Sequence, residues 1–219
     1  WFMKKIFKKA VKNSGLYVIF RKIKNYIDLI FWILKSKPVP PPHLVKQRIL
    51  NRFGKRGDLQ ALVETGTYYG DMVNAMLELF DQIYSIELSD ELYSRAVKRF
   101  RGRKNVILIH GDSGAKLPEV LDMIRDPALF WLDGHYSSGN TAKGDLDSPI
   151  FSELDHIFRR DNPGHVILID DARWFKGRGG YPTLEQLEGF VRRNWPDCTF
   201  NVEHDVIVID SNGSQWGEE

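Results

Sequence analysis

From residue 61 onward the chain alternates between short unbroken apolar runs and stretches in which apolar residues recur every third or fourth position. The runs are "ALVET" (61 to 65), "QIYSIEL" (82 to 88), "NVILIH" (105 to 110), "ALFWLD" (128 to 133) and "HVILID" (165 to 170). Between them Met72, Val73, Met76, Leu77 and Phe80 form one helical stripe, and Leu92, Ala96, Val97 and Phe100 another, opened by Ser89 with Asp90 and Glu91 in its first turn. Ser148 and Pro149 introduce a third stripe of Ile150, Leu154, Ile157 and Phe158, and Thr183 with Gln186 forms a capping box before Leu184, Leu187, Phe190 and Val191. Continuous apolar strands separated by amphipathic helices predict an α/β fold with a mostly parallel sheet covered by helices on both faces. The closing "CTFNVEHDVIVID" reads as two strands joined by a very short turn at His204 and Asp205, so one end of the sheet should be mixed.

The first 42 residues follow a different pattern. Leu16, Ile19, Phe20, Ile23, Ile27, Ile30, Phe31 and Leu34 repeat at helical spacing, with Arg21, Lys22, Lys24, Asn25 and Asp28 mostly on the other side. The longest apolar run, "LIFWIL", is far shorter than the ~18 residues of a spanning helix. "KPVPPP" (37 to 42) ends the helix and forms a stiff spacer, dividing the chain into a basic amphipathic arm (1 to 42) and a globular domain (43 to 219). Residues 1 to 37 hold ten Lys or Arg against one acid, about +9, while the whole chain carries only +2. The arm therefore suits an anionic membrane surface at its interface, or packing on its own domain or on a second copy. Nothing else in the chain looks like a nucleic-acid module. "KKIFKKAVK" after Met3 is read as a natural start; "LYVIF" is too short for a signal sequence and no cleavage site follows, so a cytoplasmic protein, peripheral at the inner face of the membrane, is expected. The single cysteine, Cys198, excludes an internal disulfide framework and reads as a plain buried thiol.

The chemistry is carried by the strand ends, where ligands bind in open parallel sheets. Glu64, Glu87, Asp133, Asp170 and Asp171 end four of the five runs, and the third enters "HGDSG" with Asp112 and Ser113. Helix capping explains one such acid but not a whole row. In "LVETGTYYG" the glycines Gly66 and Gly70 allow backbone to approach a ligand, but a dinucleotide fingerprint would place its second glycine at Tyr68. The loop with its neighbouring acid suits a phosphate-free ligand with hydroxyls and positive charge. Glu87 is placed to accept hydrogen bonds from both hydroxyls of a ribose.

With these residues the chain resembles the class I S-adenosylmethionine-dependent methyltransferases, over about residues 43 to 210. "VETGTYYG" resembles their glycine-rich first motif, "YSIEL" the second with Glu87 as the ribose acid, and "GDSGAKLP" the adenine-side segment with Asp112 and Ser113 near the base. The resemblance implies a Rossmann-like seven-stranded sheet with "VIVID" as its one antiparallel strand, and S-adenosyl-L-methionine bound by Glu64, Thr65, Gly66, Thr67, Gly70, Glu87, Leu88, Asp112, Ser113 and Asp133. The closer similarity is to the metal-dependent O-methyltransferases of the catechol and macrocin types. In "WLDGH" and "LIDDA" it implies Mg²⁺ held by Asp133, Asp170 and Asp171, three hard carboxylates that suit this ion. A metal-free reading stays open, with Asp133 as general base. Where the catechol type has its lysine base this chain has Tyr136, with His135 beside it; His135 is the first candidate to take the acceptor proton.

The long polar loops "GHYSSGNTAKGDLDSP" (134 to 149) and "ARWFKGRGGYP" (172 to 182) should form the acceptor pocket or a lid, with Tyr136, Lys143, Arg173, Trp174 and Tyr181 as candidate substrate contacts. The expected activity is O-methylation of a hydroxyl on a small molecule of sugar or natural-product type. The alternatives are a metal-independent N- or carboxyl-methyltransferase, or a non-catalytic methyltransferase-like protein at a membrane.

Overall fold

The structure is a computed structural model that describes residues 15–56, 59–133, 149–160 and 164–212, with only the backbone of 15–22. Helix α1 (Gly15–Leu34) precedes α2 (His43–Gly54), and the sheet domain then runs β1 (Ala61–Thr65), α3 (Asp71–Met76), β2 (Gln82–Glu87), α4 (Asp90–Arg99), β3 (Val106–His110), α5 (Ser113–Met123) and β4 (Ala128–Leu132). It continues through α6 (Ile150–Phe158), β5 (Val166–Ile169), a short 3-10 turn (Ala172–Trp174), α7 (Leu184–Asn194), β6 (Thr199–Glu203) and β7 (Val206–Asp210). The seven strands lie in the order β3-β2-β1-β4-β5-β7-β6. β7 runs antiparallel to both β5 and β6, and the pairs among β1 to β5 are parallel. β7 is "VIVID", as expected.

Strands β1, β4, β5 and β7 are buried at every position, which explains their unbroken apolar runs: there is no solvent face to alternate toward. One face of the sheet packs Val63, Phe130, Ile167 and Ile209 against Leu117, Leu154 and Leu187 of α5, α6 and α7. The other packs Leu62, Leu129, Leu168 and Val208 against Leu50 and Phe53 of α2, Met72 and Met76 of α3 and Ala96 of α4. The hairpin turn at His204 and Asp205 has both residues at positive φ (45 and 70), the mirror-image geometry that matches the twist of a two-residue hairpin. Ser89 caps α4 through Leu92 N, and Thr183 and Gln186 form the reciprocal capping box of α7. Ser148 lies outside the described residues.

α2 runs down one sheet face and is tied there by charge as well as by packing. Lys46 meets Asp170 at the end of β5, Arg52 reaches Glu203 at the end of β6, and Arg56, just past the helix, meets the fully buried Asp210 of β7 at 2.8 Å. α1 docks on α2 through Leu29 and Trp32, which bury against Val45; Trp32 also donates its indole N–H to Pro38 O at 2.6 Å and lies edge-on to His204. The apolar stripe read from the sequence is not this docking face. Ile23, Ile27, Ile30 and Leu34 are exposed, and at 100° per residue they lie on the side of α1 opposite Leu29 and Trp32. Among the described residues no helix is long and apolar enough to cross a membrane.

Candidate functional site

The strand order reverses between β1 and β4, so a crevice opens beyond their carboxyl ends. The β1–α3 loop lines it. Gly66 (φ 90) and Gly70 (φ 72) take left-handed backbone, and so does Tyr68 (φ 50), where a side chain makes this conformation costly. Four of the loop's N–H groups are spent internally. Gly66 and Thr67 donate to Ile86 O, Gly70 donates to Thr67 O, and Tyr68 donates to Glu87 Oε2 at 2.7 Å. A pyrophosphate cradle needs such donors turned toward the ligand; those of Gly66, Thr67 and Tyr68 go to β2 and that of Gly70 to its own loop instead. Gly70 also has a packing reason to be glycine, since a Cβ there would lie 2.6 Å from the Phe100 ring.

Glu87 is buried at the end of β2, with Oε1 accepting from Ser89 N at 2.9 Å and Oε2 from Tyr68 N. Burial raises its proton affinity, and the backbone N–H groups oppose that rise. The carboxylate is thus fixed in direction, and each oxygen keeps a lone pair for a ligand hydroxyl. Glu64 sits deeper. It accepts from Ser85 Oγ, which lies 2.6 Å from Thr67 Oγ1, and burial pushes its carboxyl up to about 8. Glu64 therefore anchors the loop through a buried hydroxyl chain. Leu88 O lies 3.3 Å from His110 Nε2, a ring that stacks on Tyr93. Asp112 caps α5, its Oδ1 accepting from Ala115 N at 3.3 Å, and Ser113 is buried beside it.

Asp133 follows β4 directly, and its N–H donates to Thr65 O at 3.0 Å, so its backbone sits on the reversal point itself. Burial raises its carboxyl well above the usual range; the Asp170 and Asp171 charges add to that and Lys46 opposes it. Burial raises Asp170 to about 6 against the pull of Lys46. Two groups important here were not singled out from the sequence. Lys46 of α2 donates to Asp170 Oδ2 at 2.5 Å and to Asp171 Oδ1 at 3.1 Å. Glu153 of α6 is buried next to the Thr65 and Ser113 hydroxyls, and burial pushes it up to about 7.

No family model matches the sequence. Over 81 residues the chain is 30% identical to ribosomal RNA small subunit methyltransferase A of Dehalococcoides mccartyi (strain CBDB1), which covers 36% of this chain and 28% of that protein. The chain thus spans under a third of the length of the curated relative it matches. Solved structures of similar fold include the O-methyltransferase TomG from Streptomyces achromogenes, in complex with SAM, at a TM-score of 0.54 and 14% identity over 85% of this chain and 87% of that one. An O-methyltransferase from Bacillus cereus in complex with SAH superposes at 0.56 with 13% identity, covering 85% and 89%. The N-methyltransferase NodS from Bradyrhizobium japonicum WM9 does so at 0.51 with 10% identity, covering 77% and 93%. The chain has the class I S-adenosylmethionine-dependent methyltransferase fold.

Within this methyltransferase fold the residues proposed for the donor side lie at successive strand ends: Thr65 to Thr67 and Gly70 at β1 and its loop, Glu87 and Leu88 at the end of β2, Asp112 and Ser113 after β3, Asp133 after β4. The expected magnesium site is different. Mg²⁺ needs carboxylate oxygens free to approach to about 2.1 Å, but the Lys46 ammonium lies against Asp170 and Asp171, and Arg173 Nη1 takes the same Asp171 Oδ1 at 2.8 Å. Among the described residues no group of three or more potential metal ligands assembles. The residues in this arrangement do not fit the ion.

Arg173, expected to contact substrate, is held by Asp171 and by the buried Asp205, which also accepts from Arg173 N at 2.8 Å. Trp174 is exposed under the Arg173 guanidinium, 5.7 Å away. Tyr181 packs edge-on to Phe175 and lines an outer groove of about 800 Å³ with Arg178, Phe151, Phe190 and Arg193, away from the strand-end acids. His135, Tyr136 and Lys143 lie outside the described residues. The remaining histidines serve the framework where their contacts are defined: His165 Nδ1 accepts from Ala128 N at 3.1 Å, and burial lowers it to about 4, while His156 Nε2 meets Gly114 O at 2.9 Å. Cys198 is buried, as expected.

Proposed function

We propose that the protein transfers a methyl group from S-adenosylmethionine to a hydroxyl of a small acceptor of sugar or natural-product type. The observation that carries this reading is the pairing of Glu87 with an amide-spent loop. A carboxylate aimed by Tyr68 N and Ser89 N offers acceptors for a ribose, and the N–H groups of Gly66, Thr67 and Tyr68 are held by β2 rather than turned toward a phosphate. Thr65 to Thr67 and Gly70 would border the donor, with Leu88, Asp112 and Ser113 toward its base. The donor supplies a methyl group made electrophilic by the sulfonium.

The protein's own part is positioning, which converts an encounter into a near-attack arrangement. Asp133, on the reversal point and with raised proton affinity, is the described residue best placed to accept the acceptor's proton. His135, two residues on, is the second candidate, and Tyr136, Lys143, Arg173, Trp174 and Tyr181 are the substrate contacts proposed from the loops. Asp133→Asn should cut turnover by about 10²-fold or more. Calorimetric titration of S-adenosylmethionine and its demethylated product, beside ATP and NAD, tests the donor reading: tighter binding of the dinucleotide would overturn it.

Magnesium assistance is the reading this arrangement disfavours. The Asp170 and Asp171 charges raise the proton affinity of Asp133, and Asp171 raises that of Asp170, which favours a cation among them; Lys46 is such a cation already. For the arm, the exposed Ile23, Ile27, Ile30, Phe31 and Leu34 beside Lys24, Lys35 and Lys37 support a peripheral seat on an anionic membrane at its cytoplasmic face, with self-association through the same stripe as the competing outcome.

A further inference from the structure

We propose that Lys46 is the resident cation of the acidic rim: its ammonium stands where a divalent ion would stand, so the site works without metal and excludes it. The inference rests on the reading of this rim as the acceptor side of a methyl-transfer site.

Lys46 reaches the rim from α2, an element outside the strand–helix alternation that supplies every other rim residue. Its side chain is 13% exposed, and its partners Asp170 and Asp171 are 4% and 14% exposed. The three groups are therefore packed together with little water. One ammonium bridges both carboxylates, at 2.5 and 3.1 Å, and Asp133 adds to the field around it. Burial lowers the proton affinity of Lys46, yet the two aspartates outweigh it, and the amine stays charged. Further donors hold the same two carboxylates. Asp170 Oδ1 accepts from Asp171 N at 2.7 Å, and Arg173 joins Asp171 to Asp205. One ammonium and one guanidinium thus offset part of the rim's negative charge. A hydrated divalent ion would have to expel a buried, doubly bonded cation to enter.

An ammonium also does something a metal does not. It donates hydrogen bonds rather than accepting lone pairs, so it can fix the directions of Asp170 and Asp171. Lys46 is thus a positioning residue, acting through these carboxylates. Lys46→Met keeps the length and apolar stem and removes the charge. It strips Asp170 of its ammonium and leaves Arg173 as the cation at Asp171, so that carboxylate oxygens, which hard divalent ions prefer, become open to one.

The test is calorimetric titration of the full chain with Mg²⁺ and with Mn²⁺, accompanied by thermal denaturation in each ion. The wild type should show no saturable binding at this rim, and Lys46→Met should bind at least tenfold more tightly and gain several degrees of melting temperature on adding metal. Lys46→Arg, which keeps the charge, should behave as the wild type. Metal binding by the wild type that Asp170→Asn abolishes would overturn the proposal, as would a folded Lys46→Met that takes up no metal. The wild-type titration decides alone if the variant does not fold. S-adenosylmethionine titrated in parallel keeps the two readings separate: its failure to bind would strike the methyl-transfer reading and leave the metal result standing.

Discussion

Tyr68 hands its backbone N–H to the carboxylate of Glu87, 19 residues away on the neighbouring strand, and adopts a left-handed backbone to do so. The contact joins the first loop to the second strand end at the place where a ribose is proposed to lie. Glu87→Gln puts an amide nitrogen where one of two N–H donors now finds an oxygen. Hydrogen bonds to charged groups contribute about 1.5–3 kcal/mol, so the variant should weaken S-adenosylmethionine by roughly 10- to 100-fold in calorimetry. An unchanged dissociation constant would remove Glu87 from the donor site.

Gly70 and Gly102 separate two costs that are usually mixed. Both have positive φ, but a Cβ at Gly70 meets the Phe100 ring at 2.6 Å, whereas at Gly102 nothing lies within 4 Å. Gly102→Ala should cost about 1–2 kcal/mol from backbone strain alone. Gly70→Ala should cost clearly more, because the ring must move as well. Equal losses in urea unfolding would show that Phe100 yields freely.

Glu153 gives stability a defined dependence on pH. In the unfolded chain it ionises near 4.5, while burial holds it protonated up to about 7 in the fold. Between those values the unfolded state has released the proton and the folded state has not, so stability is fully present below about pH 4.5 and falls as pH rises toward 7. The loss amounts to about 3 kcal/mol at 1.36 kcal/mol per unit. Glu64, raised to about 8 by burial, acts in the same direction. Glu153→Gln should flatten this slope in urea titrations at pH 5 and pH 8, gaining on the wild type only at the higher pH. Parallel slopes would count against the buried-acid account.

The arm's outward stripe can be tested without disturbing its inward contacts. Ile27→Glu with Phe31→Glu should abolish co-sedimentation with anionic liposomes and leave the melting temperature unchanged, since both residues are exposed. Trp32→Ala should instead lower the melting temperature, because Trp32 is buried against Val45. Loss of dimers, with liposome binding untouched, would favour self-association.

The sheet was legible because strands buried on both faces leave an apolar run with abrupt ends, and the hairpin because two residues of turn chemistry, His204 and Asp205, separate two such runs. The donor-side acids were legible for the same reason, being the first polar residues after each run. Lys46 was not: it lies 124 positions from Asp170, and an ion pair at that separation leaves no periodic trace. The spent state of the loop amides was also hidden, since it depends on the left-handed turn at Tyr68. On α1 the spacing identified an apolar stripe correctly but not which side docks, because Leu29 and Trp32 make a second, narrower apolar face.

Val45 and Lys46 are consecutive residues: the first is covered by the arm, the second grips the acids beyond β5. Whatever lifts α1 from its seat uncovers Val45, one peptide bond from the ammonium that holds Asp170 and Asp171.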